Sequence, residues 1–360
     1  MSGNNPIEDV GDEFHDAALR WIKGSYPHSR RTACIIGEDG ATEVVWHDLA
    51  EMGMLGLMVP EEAGGIGANA AIMCRVAEAF GNGLLAEPWI PVAIGAASLL
   101  QAAGKDLTGL AQGTTRPVVA WTEPDRRWSR RASTTGINGA GQITGAKTVV
   151  WGAAAADFLL VSAMRSDGAA AIVSVAAELV ERRCYRMWDG LDAAELAFDA
   201  APAEILLEGA VATAALERSL DLMTLATCAE ALGAMARALD LTREHLRTRV
   251  QFGRPLMTNQ ALRHRIAEAW VEAELARALV TRVARDFDSY QEVERGRMTA
   301  AAKAQTGAAA RRMAEECVQM HGGIGITDEA EISHLHRRLV AIDLGFGSMA
   351  DQVARFRGAA

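Results

Sequence analysis

Two short runs of this chain carry the residue types that grip a phosphate. The first is Arg249-Val250-Gln251-Phe252-Gly253-Arg254-Pro255, with Gln260 just beyond it. The second is Gln319-Met320-His321-Gly322-Gly323-Ile324-Gly325. The first closes a long helical pattern on an arginine, an aromatic ring and a glycine. The second ends another helix on a glycine cluster. Together they offer a planar guanidinium fork, two side-chain amides, and backbone N–H groups that an anion can approach because glycine has no Cβ. Such a set could hold a dinucleotide. Each residue also has a plainer role when taken alone. Arg249 suits a helix C-terminus without any ligand, and Gly322 and Gly323 suit a helix cap. Their joint occurrence favours a binding site.

The elements that must position these runs are mostly helical. From about residue 9 to 104, Trp46, Leu49, Met52, Leu55 and Leu57 are spaced for one buried helix face. Pro60 and Gly64, Gly65 and Gly67 then read as a loop. Helices are expected through Ile72, Val76, Ala79 and Phe80, and again over residues 90–103. From about 116 to 200 short strand-like runs alternate with turn chemistry, as in Asn138-Gly139-Ala140-Gly141. Four long amphipathic segments follow, roughly 212–248, 259–287, 293–320 and 332–356, and short links between them imply an antiparallel bundle. The expected fold is mainly α with a small β domain: an N-terminal helical lobe over 1–115, a middle β-barrel over 116–205, and a C-terminal four-helix bundle over 206–360.

The 360 residues suffice for a large core, and half of them are hydrophobic, with alanine prominent. With 36 basic and 46 acidic residues the formal charge is −10. That balance argues against nucleic-acid or anionic-membrane partners. The five cysteines are scattered and form no C-x-x-C, which fits reduced, buried thiols. A polar N-terminus and the lack of a long uninterrupted apolar run point to a cytoplasmic protein that does not span a membrane.

This order of elements resembles the acyl-CoA dehydrogenase family, and the resemblance covers nearly the whole chain. Trp46, Leu55-Gly56-Leu57 and Pro60 to Gly67 match its N-terminal pattern. Arg249, Phe252, Gly253, Pro255 and Gln260 match its "R..FG.p…Q" run, and Gln319, Gly322, Gly323 and Gly325 its "Q..GG.G" run. In the family these two motifs bind FAD carried by a neighbouring subunit. The resemblance implies that Arg249 grips the pyrophosphate, that Phe252 and Gln260 line the adenine–ribose end, and that Gln319, Met320, His321, Gly322 and Gly323 close over it.

The other half of the family's site is altered. Its catalytic glutamate, tuned upward by burial, aligns with Phe346 at one known position and lies near Met223 at the other. Neither side chain takes a proton, so no catalytic residue is assigned. The family's "TEPGAGSD" strand becomes Thr122-Glu123-Pro124-Asp125-Arg126-Arg127-Trp128, and its "W.T" pair becomes Val149-Val150-Trp151. Bulk and negative charge there oppose a flavin ring and phosphate. The resemblance therefore implies an enzyme subunit active only with a second acyl-CoA dehydrogenase-like chain. It would perform α,β-dehydrogenation of an acyl-CoA, with steroid side chains among the candidate acyl groups. Electrons would pass to an electron-transfer flavoprotein. Two alternatives stand beside this: a self-sufficient homo-oligomer with a displaced base such as Glu230, and a non-catalytic scaffold that binds no flavin.

Other signals are weaker. Gly141 to Thr148 mimics a phosphate loop, but Ala146 breaks the G-K-T and the context suits a hairpin corner. His334 and His336 read as surface residues rather than metal ligands, since two residues apart on a helix they diverge. Asp343 reads as a structural charge. The pair Arg337-Arg338 reads as solvated charges or a grip for coenzyme A phosphates.

Overall fold

A computed structural model describes residues 6–38, 40–126, 128–251 and 253–358. Six helices come first: α1 (Pro6–Ser25), α2 (His28–Ile36), α3 (Ala41–Glu51), α4 (Ala70–Gly83), α5 (Ala97–Ala102) and α6 (Thr108–Ala111). Eight strands follow: β1 (Pro117–Ala120), β2 (Gly136–Ile137), β3 (Gln142–Trp151), β4 (Phe158–Arg165), β5 (Ala170–Ala176), β6 (Glu181–Arg186), β7 (Asp192–Pro202) and β8 (Glu204–Glu208). Then come α7 (Gly209–Thr248), a small hairpin of β9 (Val250–Gln251) and β10 (Arg254–Pro255), α8 (Gln260–Asp286), α9 (Glu292–His321), α10 (Glu331–Leu344) and α11 (Met349–Phe356). Helices, a central sheet and helices again is the expected order.

The chain divides into two compact units. One takes the segment up to Thr32, Ala70–Leu85 and everything from Thr224; the other takes Ala33–Asn69 and Ala86–Met223. The boundary falls inside α7.

In the sheet unit the strands hydrogen-bond in the order β6-β7-β3-β2-β4-β5-β8, with β1 parallel to β4. Gly145, at φ +135°, sits where a Cβ would come within 2.6 Å of the Thr135 Cα, so only glycine lets the preceding loop cross β3 there. The corner expected at Gly141 to Thr148 lies earlier. Asn138 Oδ1 accepts from the N–H groups of Ala140 and Gln142, both at 3.0 Å, and Gly141 turns at φ +73°. Residues 142–151 are then one strand, because an Asx turn had already reversed the chain. Ahead of α5, Ile90–Ala96 is wound as a π-helix. Its Gly95 leaves room for the Met223 sulfur, which a Cβ would meet at 2.5 Å.

The helical unit is a bundle whose packing can be read from side-chain pairs. Glu230 and Arg237 of α7 bond Arg338 and Glu331 of α10, so these two helices are antiparallel. Arg265 and Glu272 of α8 bond Glu316 and Arg312 of α9, again antiparallel. Ala238 and His245 of α7 meet Cys317 and His321 of α9, so α7 and α9 are parallel. Neighbours that alternate and partners that align two steps apart are the expected up-down arrangement.

Two expectations need correction, and one stands against a candidate exception. The last helical segment is broken: Gly345, Phe346 and Gly347 separate α10 from α11, and Ser348 with Asp351 forms a capping box that starts the new helix. Helix α7 is long and apolar enough to cross a membrane by length and composition, yet 83% of its apolar window is buried inside the protein, as in a core helix. Cys34, Cys74, Cys228 and Cys317 are buried free thiols, whereas Cys184 is exposed on β6, an end strand of the sheet.

Candidate functional site

The stacked rings of His245 and His321 bring the end of α7 beside the end of α9, with centroids 4.5 Å apart and planes at 25°. Arg249 follows one turn after His245, its N–H donating to the His245 carbonyl at 2.9 Å. The Arg249 carbonyl accepts from Leu256 N–H at 2.9 Å, which folds the hairpin back toward α8. Helix α8 opens on Asn259, whose Oδ1 caps the Ala261 N–H at 3.0 Å. Arg265 Nε then donates to Glu316 Oε2 at 2.6 Å and ties the start of α8 to the end of α9. Arg249, Gln260, Gln319, His321, Gly322 and Gly323 therefore gather at one end of the bundle.

Most of these residues lie at the surface. Arg249, Gln260, Gln319, Gly322 and Gly323 are all exposed. Arg249 makes no ion pair with any described residue. Gln260 has only a long 3.5 Å approach to His264 Nε2. Gly322 adopts φ 67° and ψ −147°, a conformation open essentially to glycine alone. A Cβ added at Gly322 or Gly323 would meet nothing within 4 Å, so the backbone faces open space. Met320 differs from its neighbours: at 6% exposure its side chain packs in the bundle. Phe252 lies outside the described residues. Around the donors, Val250, Ile324 and Ile326 are 53%, 57% and 75% exposed.

The stretch Thr122 to Trp128 is committed elsewhere. The Thr122 hydroxyl donates to the Thr148 carbonyl, and Thr148 N–H returns a bond to the Thr122 carbonyl at 3.0 Å. Glu123, buried, accepts from the N–H groups of Ser133, Thr134 and Thr135 at 2.9–3.0 Å and from Lys147 Nζ at 3.1 Å. Burial alone would raise its pKa. The Lys147 ammonium and the three N–H donors outweigh that and hold the carboxyl well below the usual carboxylate range. Asp125 is exposed, and the Trp128 ring packs 6.0 Å from Trp121. Val149 bulges out of β3 at φ 49°.

At the family's two base positions, Met223 is 3% and Phe346 is 7% exposed. Phe346 stands at φ 58° in a turn held from below. Lys303 Nζ donates to the carbonyls of Asp343 and Gly347 at 3.0 and 3.3 Å, and Gln352 Nε2 donates to the Phe346 carbonyl at 2.5 Å. Asp343 is a structural charge, bonded by Arg311 Nε at 2.8 Å. Glu230 is locked to Arg338 by two bonds of 2.7 Å, with both side chains buried. It is no free base.

Arg338 is thus not solvated, and Arg337 pairs with Asp328 at 2.6 Å. The two histidines of α10, His334 and His336, are half-buried rather than on an exposed face. His334 is bonded by Arg31 at 3.0 Å and packed edge-on to His28. Sequence reading missed His245 altogether. Its one signal was its place a single turn before Arg249, and its contact with His321 spans two distant helices.

Two family models match the chain. The acyl-CoA dehydrogenase N-terminal domain matches residues 12–107, and the C-terminal domain matches residues 212–355. The chain is 29% identical over 331 residues to acyl-CoA dehydrogenase IpdE2 of Mycolicibacterium smegmatis, covering 88% of this chain and 87% of that protein. It is 30% identical over 310 residues to acyl-CoA dehydrogenase FadE34 of Mycobacterium tuberculosis, covering 84% of this chain but only 40% of that protein. A solved structure described as the Tcur3481-Tcur3483 steroid ACAD superposes with a TM-score of 0.89 at 27% identity, covering 98% of each chain. With both terminal domains matched and the sheet between them in place, the chain belongs to the acyl-CoA dehydrogenase family.

Proposed function

We propose that this chain is one subunit of a two-chain, FAD-dependent acyl-CoA dehydrogenase, and that it contributes the phosphate-gripping half of a flavin site shared with its partner. The observation that carries this reading is the exposed Arg249 at the same end of the bundle as the open backbone of Gly322 and Gly323, joined through the His245–His321 stack. These residues fit an anionic diphosphate: an exposed guanidinium that pairs with no described residue, two amides and bare backbone, all reachable from outside. The exposed isoleucines and valine around them suit burial under another chain. So does the stripe of Trp270, Val271 and Leu275 on α8, which are 50%, 49% and 57% exposed. The Thr122 to Trp128 stretch does not fit the ring half. Its hydroxyl and carboxylate are already bonded within the chain, and Trp128 adds bulk.

Bound FAD would accept a hydride from the β-carbon of the acyl thioester while a base takes the α-proton. Phe346 and Met223 offer no base, and Glu230 is locked, so we assign that base to the partner. The resemblance to a solved steroid dehydrogenase supports a bulky acyl group. An electron-transfer flavoprotein is the proposed acceptor.

The test is flavin content of the purified two-chain complex. Removing a charge-assisted contact to phosphate costs about 1.5–3 kcal/mol, so Arg249→Ala with Gln319→Ala should weaken FAD retention by about tenfold or more. Unchanged flavin loading in that variant would contradict the assignment.

A further inference from the structure

We infer that His245, a residue with no assigned part in the site, is a positioning residue. Its stack on His321 clamps the end of α7 to the end of α9 and so sets the gap between Arg249 and the donors of Gln319 to Gly323. This rests on the cofactor reading above and deepens it.

The two donor groups stand on different helices. Nothing in either helix alone fixes their separation. The ring stack joins the last turns of α7 and α9, one turn before Arg249 and directly before Gly322. Deeper in, Cys317 joins the two helices again, through a side-chain bond with Thr242 and a 3.7 Å contact from its Sγ to the Ala238 carbonyl. His321 is itself oriented by a 2.8 Å contact between its Nδ1 and the Cys317 carbonyl, which fixes the ring plane that His245 meets. His245 holds Arg249 from behind through the backbone bond to its carbonyl. A dinucleotide gripped by Arg249 and by the glycine turn would span the gap that the two rings set.

The clamp has a built-in condition. Both rings lie in the last turn of their helices and are held toward the neutral form by burial. A second proton would put two cations 4.5 Å apart. Arg249 adds a further positive charge on the same side. Among the described residues no other charge shifts either ring, and on the facing start of α8 Arg265 is bonded to Glu316. Burial first, then each other's charge and Arg249, lower the pKa of His245; burial lowers that of His321 against its bond to the Cys317 carbonyl. The stack therefore holds at neutral pH and loosens on full protonation.

The experiment compares the full chain as wild type, His245→Phe and His245→Ala. One readout is hydrogen exchange of the amides at the end of α9. The other is the FAD dissociation constant of the complex with its partner, read by flavin fluorescence at about pH 7.5 and about pH 5. In the wild type, α9-end protection should fall on acidification and the dissociation constant should rise about tenfold. His245→Phe keeps a ring but removes the second titrating nitrogen of the pair, so both readouts should change clearly less with pH than in the wild type. His245→Ala should be unprotected at both pH values and bind FAD about tenfold more weakly than wild type at the higher pH. Identical α9-end exchange in all three chains overturns the clamp. Exchange that follows the ring stack in complexes that hold no flavin overturns the cofactor reading instead.

Discussion

Glu230 and Arg338, 108 residues apart in sequence, face each other across α7 and α10 with both carboxylate oxygens bonded at 2.7 Å and both side chains almost wholly out of water. A carboxylate held this way is a strut between two helices. Removing Arg338 leaves the Glu230 carboxylate buried without its counter-ion, at a cost of about 3–5 kcal/mol. Arg338→Met and Glu230→Gln should each lower the urea midpoint sharply, and Glu230→Leu combined with Arg338→Met should recover much of the loss. Turnover of the assembled complex should track only the folded fraction. Loss of turnover in a fully folded Glu230→Gln complex would return Glu230 to the role of base.

The glycine turn after α9 is open rather than packed. A Cβ placed on Gly323 would have nothing within 4 Å, so the side chain of Gly323→Leu starts out into free space. Its thermal midpoint should stay close to wild type, while flavin retention by the complex falls by about tenfold or more as the side chain fills the cradle. Equal flavin content in wild type and variant would show that the turn is only a cap.

Two other glycines should behave in the opposite way. Gly81 of α4 and Gly233 of α7 sit at a close helix crossing, where a Cβ would overlap the carbonyl oxygens of Glu230 and Glu78 respectively. Gly233→Ala must push backbone against backbone, which places it at the upper end of overpacking costs, about 3 kcal/mol or more. Equilibrium unfolding would read it directly, and a loss of only about half a kcal/mol, typical of neutral surface changes, would mean the crossing is looser than described.

Five imidazoles in the helical unit share one direction of shift. His28, His245, His321, His334 and His336 all have pKa values lowered from the ordinary 6.5, with burial the largest cause in each. The unfolded chain therefore takes up protons before the folded one does. Their contribution is complete above about pH 6.5, falls as pH drops through that value toward the lowered folded-state pKa values, and then levels off. Thermal midpoints measured from about pH 7.5 to about pH 5.5 should decline. A midpoint that is flat or rises on acidification would contradict the burial of these rings.

Much of the fold was legible because its signals are periodic and local. The helix faces of α7, α8 and α9 follow three- and four-residue spacing, and the sheet follows turn chemistry such as Asn138 to Gly141. The break between α10 and α11 was also written locally, in Gly345, Gly347 and the Ser348–Asp351 cap, but an apolar pattern running across it hid the stop. Side-chain partners were not legible. Nothing near Arg338 in sequence announces Glu230, and nothing near His245 announces His321, because both pairs form only when distant helices pack. Arg249, Gln319 and the glycines were legible as a set because their residue types are costly to explain singly. Met320 belonged to the same run but to the opposite face of its helix turn.

The most direct measurement is the flavin content and acyl-CoA oxidation of this chain purified alone, set against the same chain co-purified with an acyl-CoA dehydrogenase-like partner. The account predicts a colourless, inactive chain on its own, and a flavin-loaded, active complex when the partner is present. A single chain that holds FAD through purification and oxidises an acyl-CoA by itself would contradict it.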